Sequence, residues 1–82
     1  MTKSELRERL EHEGVDPASY SLDGVVNCYD AYCIDQTGHK WVTYFAERGQ
    51  RQFLREFPTE TLACQHLLEW ILKDPTTRRK GR

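Results

Sequence analysis

Glycine is scarce in this chain, five in 82 residues, and no two of the five are close enough to form a phosphate-cradling loop. The sequence also lacks a nucleophile elbow and a paired-carboxylate motif, so no reaction chemistry is written into its spacing. No window approaches the ~18 consecutive apolar residues of a membrane helix, and Met1-Thr2-Lys3-Ser4-Glu5 lacks the apolar segment of a signal peptide. The three cysteines are an odd number, which excludes a fully paired disulfide framework and fits the reduced thiols of the cytoplasm. Cys28 and Cys33 are five apart. On one strand they would point to opposite faces, which disfavours a shared metal. No internal repeat or low-complexity segment interrupts the chain. These absences predict a cytoplasmic protein that is not an enzyme and carries no cofactor or metal.

What is present is enough for one small domain. A mass of 9.7 kDa corresponds to a folded surface of roughly 5,000 Å². Ordering the backbone costs on the order of 100 kcal/mol, so the large apolar side chains Trp41, Phe45, Phe57, Leu67, Trp70 and Ile71 are assigned to the core first. The net charge of -1 hides an asymmetry, because Arg78, Arg79, Lys80 and Arg82 are four of the 12 basic residues. Residues 1–74 hold 8 Lys/Arg against 13 Asp/Glu, a balance of -5. An acidic body favours a basic partner and repels phosphates, although soluble proteins are commonly acidic in any case.

Thr2 precedes Glu5 by three residues, the spacing of a capping box, and Leu6 and Leu10 recur at i, i+4. This predicts a first helix over Lys3–Glu13, ended by Gly14 in the left-handed conformation and by Asp16-Pro17. Tyr20 and Leu22 are placed under that helix, and Asp23-Gly24 at a turn. A strand is predicted at Tyr29–Asp35 and a tight hairpin at Gln36-Thr37-Gly38-His39. Trp41, Thr43 and Phe45 then share one face, the better core candidate, with Val42, Tyr44 and Ala46 on the other. Gly49-Gln50 makes a second turn. Phe53 and Phe57 continue the Trp/Phe face on a third strand, with Leu54 and Glu56 opposite. Thr59 caps a last helix carrying Ala63, Leu67, Trp70 and Ile71, which Asp74-Pro75 closes. The expected fold is α+β, a three-stranded antiparallel meander with an N-terminal and a C-terminal helix (α-β-β-β-α), both helices on one face and the other face exposed. Residues 1–75 form the domain and 76–82 a basic, disordered tail.

Candidate constellations are weak. His66 with Glu69, and Glu8 with His12, share helix faces, but an acid–base or zinc site needs further converging groups. Cys64 and His66 are two apart on a helix and diverge. The tail, with aromatics on an exposed sheet face, suggests nucleic-acid binding, which the flanking Asp30, Asp35, Glu47 and Glu56 oppose. The same acids suit a protein partner: Tyr44 on the outer face, beside Glu56 and near Tyr29 or Tyr32, forms an amphipathic anchor in a negative rim. Cross-strand packing is the equal alternative for Tyr44.

Thr2-Lys3-Ser4-Glu5-Leu6, Tyr20-Ser21-Leu22-Asp23-Gly24, Lys40-Trp41 with Tyr44 and Glu47-Arg48-Gly49, Arg55-Glu56-Phe57 and Asp74-Pro75-Thr76-Thr77-Arg78 together resemble small immunity proteins of bacterial polymorphic toxin and contact-dependent growth inhibition systems. The resemblance spans nearly the whole chain, mostly through structural residues. It implies a cytoplasmic inhibitor that binds the C-terminal domain of a cognate toxin, with no small-molecule substrate and no membrane. Asp30, Tyr44, Glu47 and Glu56 are the expected contacts, with Arg48 as the ion-pair partner that orients the acids; Glu47 can equally pair structurally with Arg48 or Arg55. The alternative is a small regulatory nucleic-acid-binding domain.

Overall fold

Helix α1 spans Lys3–His12 and starts where the capping box places it. Thr2 Oγ1 accepts from the Glu5 N–H at 3.2 Å and Glu5 Oε1 accepts from the Thr2 N–H at 2.8 Å, which satisfies two of the amide donors that open a helix. Gly14, at φ +79°, turns the chain out of the helix. The computed structural model describes residues 1–22, 30–47 and 50–77. The expected Asp23-Gly24 turn, Val25 to Tyr29, Arg48-Gly49 and the 78–82 tail lie outside them.

After α1 the chain makes a short 3-10 turn at Pro17–Ser19, with Asp16 Oδ1 accepting from the Ala18 N–H at 3.0 Å. Strand β1, Tyr20–Ser21, follows. Then come β2 at Asp30–Thr37, β3 at Lys40–Glu47 and β4 at Gln50–Phe57. The sheet order is β1-β2-β3-β4; β1 runs parallel to β2 and the other pairs are antiparallel. The α+β class and the β2–β4 meander match the sequence reading, but the sheet is four-stranded and mixed rather than a three-stranded antiparallel one. The added strand is two residues long, too short to carry a period of two.

Helix α2, Glu60–Leu72, is capped by Thr59 Oγ1 accepting from the Leu62 N–H at 3.2 Å. Glu60 ties the helix starts together, since its Oε2 accepts from the Lys3 N–H at 2.9 Å. Leu6, Leu10, Val15, Leu22, Tyr32, Ile34, Ala63, Cys64, Leu67, Leu68 and Ile71 form one core, with Trp41, Phe45, Phe57 and Trp70 packed half-buried against it. Both helices therefore share the Trp/Phe face of the sheet, as the pattern requires. The other face is a correction to the sequence reading. Ala31, Cys33, Val42, Tyr44 and Ala46 form a second buried cluster there, so this face is not exposed.

The expected domain boundary at residue 75 also moves. A second 3-10 turn, Pro75–Thr77, buries Thr77, whose carbonyl accepts from the Asp16 N–H at 2.7 Å and from Ser19 Oγ at 3.4 Å. A threonine needs no apolar partner to dock when its backbone closes hydrogen bonds of this kind. Asp74 shapes the turn: Oδ1 accepts from the Thr76 amide at 3.0 Å and its hydroxyl at 2.6 Å, and Oδ2 from Tyr32 O–H at 2.8 Å. These bonds hold the Asp74 carboxyl below its usual pKa, the Thr76 hydroxyl most strongly and Tyr32 next. Burial, together with Asp74, pushes Tyr32 up to about 12. Among the described residues no helix is long and apolar enough to cross a membrane.

Candidate protein-binding edge

Strand β4 is one edge of the sheet, with β3 on one side and, among the described residues, no strand on the other. The ladder is regular at each end, Ala46 opposite Arg51 and Trp41 opposite Phe57, but it slips in the middle. Thr43 faces Arg55 and Phe45 faces Gln52, so Phe53 and Leu54 together stand against Tyr44 as a bulge. Phe53 takes φ +59°, the left-handed region that a bulky side chain avoids at a cost of about 1–2 kcal/mol. The bulge leaves Phe53 71% and Leu54 46% exposed.

Helix α2 supplies the other wall. Leu62, His66 and Trp70 lie at i, i+4 and i+8 on one stripe, and Leu62 is exposed. The Phe53 and Trp70 rings meet edge to face at 6.2 Å, while the His66 ring lies 5.1 Å from Phe57 and 5.6 Å from Trp70. Burial lowers the His66 pKa, and Arg55 lowers it further, so the imidazole is neutral at pH 7. Phe53, Leu54, Arg55, His66 and Trp70 line a shallow groove of about 350 Å³. It offers an apolar slot, an exposed guanidinium and an unpaired strand edge, the elements of strand addition with side-chain recognition. Among the described residues no three His, Cys, Asp or Glu side chains converge as metal ligands.

The residues expected to touch a partner are not gathered in one place. Tyr44 is corrected outright: it is 1% exposed, its ring lies under the Arg51 guanidinium at 4.7 Å, and burial raises its pKa. Of the two readings of Tyr44, packing is the one the geometry favours. Glu47 is half-buried at one end of β3, where Oε1 accepts from Gln52 Nε2 at 2.9 Å, which fills the structural role with Gln52 rather than Arg55. Glu56 pairs with Val42 on the other face, roughly 17 Å along β3 from Glu47 by strand rise, and is bridged to Lys40 at 3.3 Å. The backbone of Asp30 faces Glu47 across the ladder, while Arg48 lies outside the described residues.

Sequence reasoning missed Phe53 as a surface group and missed the groove it forms with the half-buried Trp70, while Leu54 was placed on the open face of the sheet. Phe53 is the sharpest correction, since it is exposed beside Trp70 rather than buried in the core with Leu67 and Ile71. One signal was visible: two adjacent large apolar residues in a strand point to opposite faces, so on an edge strand at least one of them requires special cover or a bulge. No family model, no curated protein and no solved structure matches the chain.

Proposed function

We propose that this chain is a protein-binding inhibitor of the immunity type, which neutralises the C-terminal domain of a bacterial toxin through the β4 edge and the groove beside α2. The observation that carries the reading is Phe53, a 71% exposed aromatic ring held at positive φ on an open edge. Strain of that kind persists where it serves a contact. A standard interface takes roughly 800 Å² per partner. Against a total of 5422 Å², an interface of that size centred on Phe53 also takes in the exposed flank of α2 around Leu62 and Trp70. Aromatic anchors in such a slot typically cost 2 kcal/mol or more of binding when truncated, about thirty-fold in affinity.

Long-range charge supports a basic partner, because residues 1–74 hold 8 Lys/Arg against 13 Asp/Glu. Opposite fields raise association rates by about 10- to 1,000-fold. The edge itself bears Arg51, Arg55 and Glu56, so the body steers while the edge selects. The nucleic-acid alternative has less support. It needs sheet aromatics open for stacking, whereas Tyr44 is buried and Trp41 and Phe45 are half-buried against the helices.

The test is to identify the gene immediately upstream and, if it encodes a large secreted protein with a variable C-terminal domain, to co-express this chain with that domain. Rescue of growth, retention of that domain through a salt wash and loss of both on Phe53→Asp are the expected results. Removing residues 78–82 leaves them unchanged. Neither rescue nor retention by the unaltered chain would sink the reading.

A further inference from the structure

The β4 edge is complementary to itself. An antiparallel pair of β4 strands about a two-fold axis normal to the sheet keeps each face on its own side, so residues that meet must share a face. When Phe53 of one copy stands opposite Leu54 of the other, Arg51 meets Glu56 at both ends, Gln52 meets Arg55 and Gln50 meets Phe57.

The faces agree only because of the bulge. Arg51 and Glu56 are five apart and would point oppositely on a regular strand. The extra residue brings both onto the face of Ala46 and Val42, their partners on β3. Gln52, Arg55 and Phe57 likewise share the helix face, opposite Phe45, Thr43 and Trp41. Shifting the register one way opposes Arg51 to Arg55; shifting it the other way opposes Arg51 to Phe57 and Phe53 to Arg55. Only the central register pairs every charge at the ends with its opposite.

Both ends are ready for it. Arg51 has no carboxylate partner among the described residues, lying over the Tyr44 ring instead, and the Glu56 side chain is 56% exposed despite its bridge to Lys40. At the centre the exposed Phe53 and Leu54 cover each other. We infer that the free chain forms a two-fold dimer by pairing β4 with β4 in this register, joining two four-stranded sheets into one. This does not rest on the toxin-binding reading, since it concerns the chain alone; a partner that uses the same edge displaces the second copy.

Sedimentation velocity at low ionic strength, from micromolar to millimolar chain, tests it. The mass should rise from 9.7 kDa toward twice that value, and added salt should oppose the rise. Arg51→Glu sets like charges against each other at both ends, as does Glu56→Arg, and each variant alone should dimerise at least about ten-fold more weakly. Mixed one to one, the two variants should recover a mixed dimer, because each end then holds opposite charges. Hydrogen exchange of the unaltered chain gives a readout that needs no variant: β4 amides should slow as concentration rises while those of β2 do not change. A chain that stays monomeric at millimolar concentration overturns the inference. So does a single reversal that pairs as well as the parent, a mixture that recovers nothing, or β4 exchange that ignores concentration.

Discussion

Replacing Phe53 with glycine separates a ring kept for contact from a ring kept for packing. With 71% of the residue already exposed, truncation forfeits about a third of the 1.5–3 kcal/mol of full burial, about 0.5–1 kcal/mol. The edge-to-face contact with Trp70, at 6.2 Å near the outer limit for such pairs, adds about 0.5 kcal/mol. Glycine further costs about 0.5–1 kcal/mol in backbone entropy. Against these losses, φ +59° suits glycine and returns about 1–2 kcal/mol of strain. The net change in monomer stability therefore lies between a gain of about 0.5 and a loss of about 1.5 kcal/mol. For a domain of this size that is at most about 12 °C in Tm. The assay is thermal unfolding by circular dichroism at low micromolar concentration, so that association does not bias the midpoint. Leu67→Ala, in the centre of the core, serves as the scale and should cost about 2–5 kcal/mol. Phe53→Gly should leave the fold intact while abolishing self-association and toxin-domain retention. A loss above about 3 kcal/mol, or undiminished binding, would refute the reasoning.

Thr43 is fully buried and its hydroxyl has no hydrogen-bond partner among the described residues, so Thr43→Val should stabilise the domain by about 1 kcal/mol in urea unfolding; destabilisation would show that the hydroxyl is satisfied. Tyr32→Phe removes the 2.8 Å bond to Asp74 and should cost about 1–2 kcal/mol at pH 7. Since the folded Asp74 pKa is depressed, its contribution is present above the unfolded value of 3.8 and is lost as pH falls through the folded one. Acidification from pH 5 to pH 2 should therefore destabilise the parent more than Tyr32→Phe, and equal losses would count against the Tyr32–Asp74 link. Burial, then Glu60, pushes the Cys64 thiol up to about 11, so at pH 8 iodoacetamide should label Cys64 only after denaturation, as read by peptide mass mapping; rapid native labelling would contradict its burial.

The helices were legible because their signals are local. Thr2, Glu5 and Gly14 fix α1, Thr59 fixes α2, and the Leu6, Leu10, Leu67 and Ile71 spacings name the buried stripes. The meander was legible from Gly38, at φ +62° in its hairpin, and from the Trp41, Thr43, Phe45 alternation. What escaped depends on distant partners. β1 exists only because Tyr20 and Ser21 find Tyr32 and Cys33, and the burial of Tyr44 depends on tertiary cover that alternation alone does not encode. The candidate site was the least legible part, because a bulge at Phe53 inverts the phase of half a strand and alternation read through it assigns the wrong face. Glu47 and Glu56, chosen for their charge, are set at opposite ends of the β3–β4 hairpin by its antiparallel register.

The clasp between Ser19 and Thr77, 58 residues apart in sequence, has a bearing on solubility. It holds the Tyr20–Ser21 ribbon against β2, where that ribbon pairs with Tyr32 and Cys33 and narrows the second border of the sheet. Releasing that clasp would lengthen the bare stretch of β2, and a sheet adhesive along both borders can carry pairing from chain to chain as a growing filament. A side-chain hydroxyl and two short turns thus guard part of the sheet's second border.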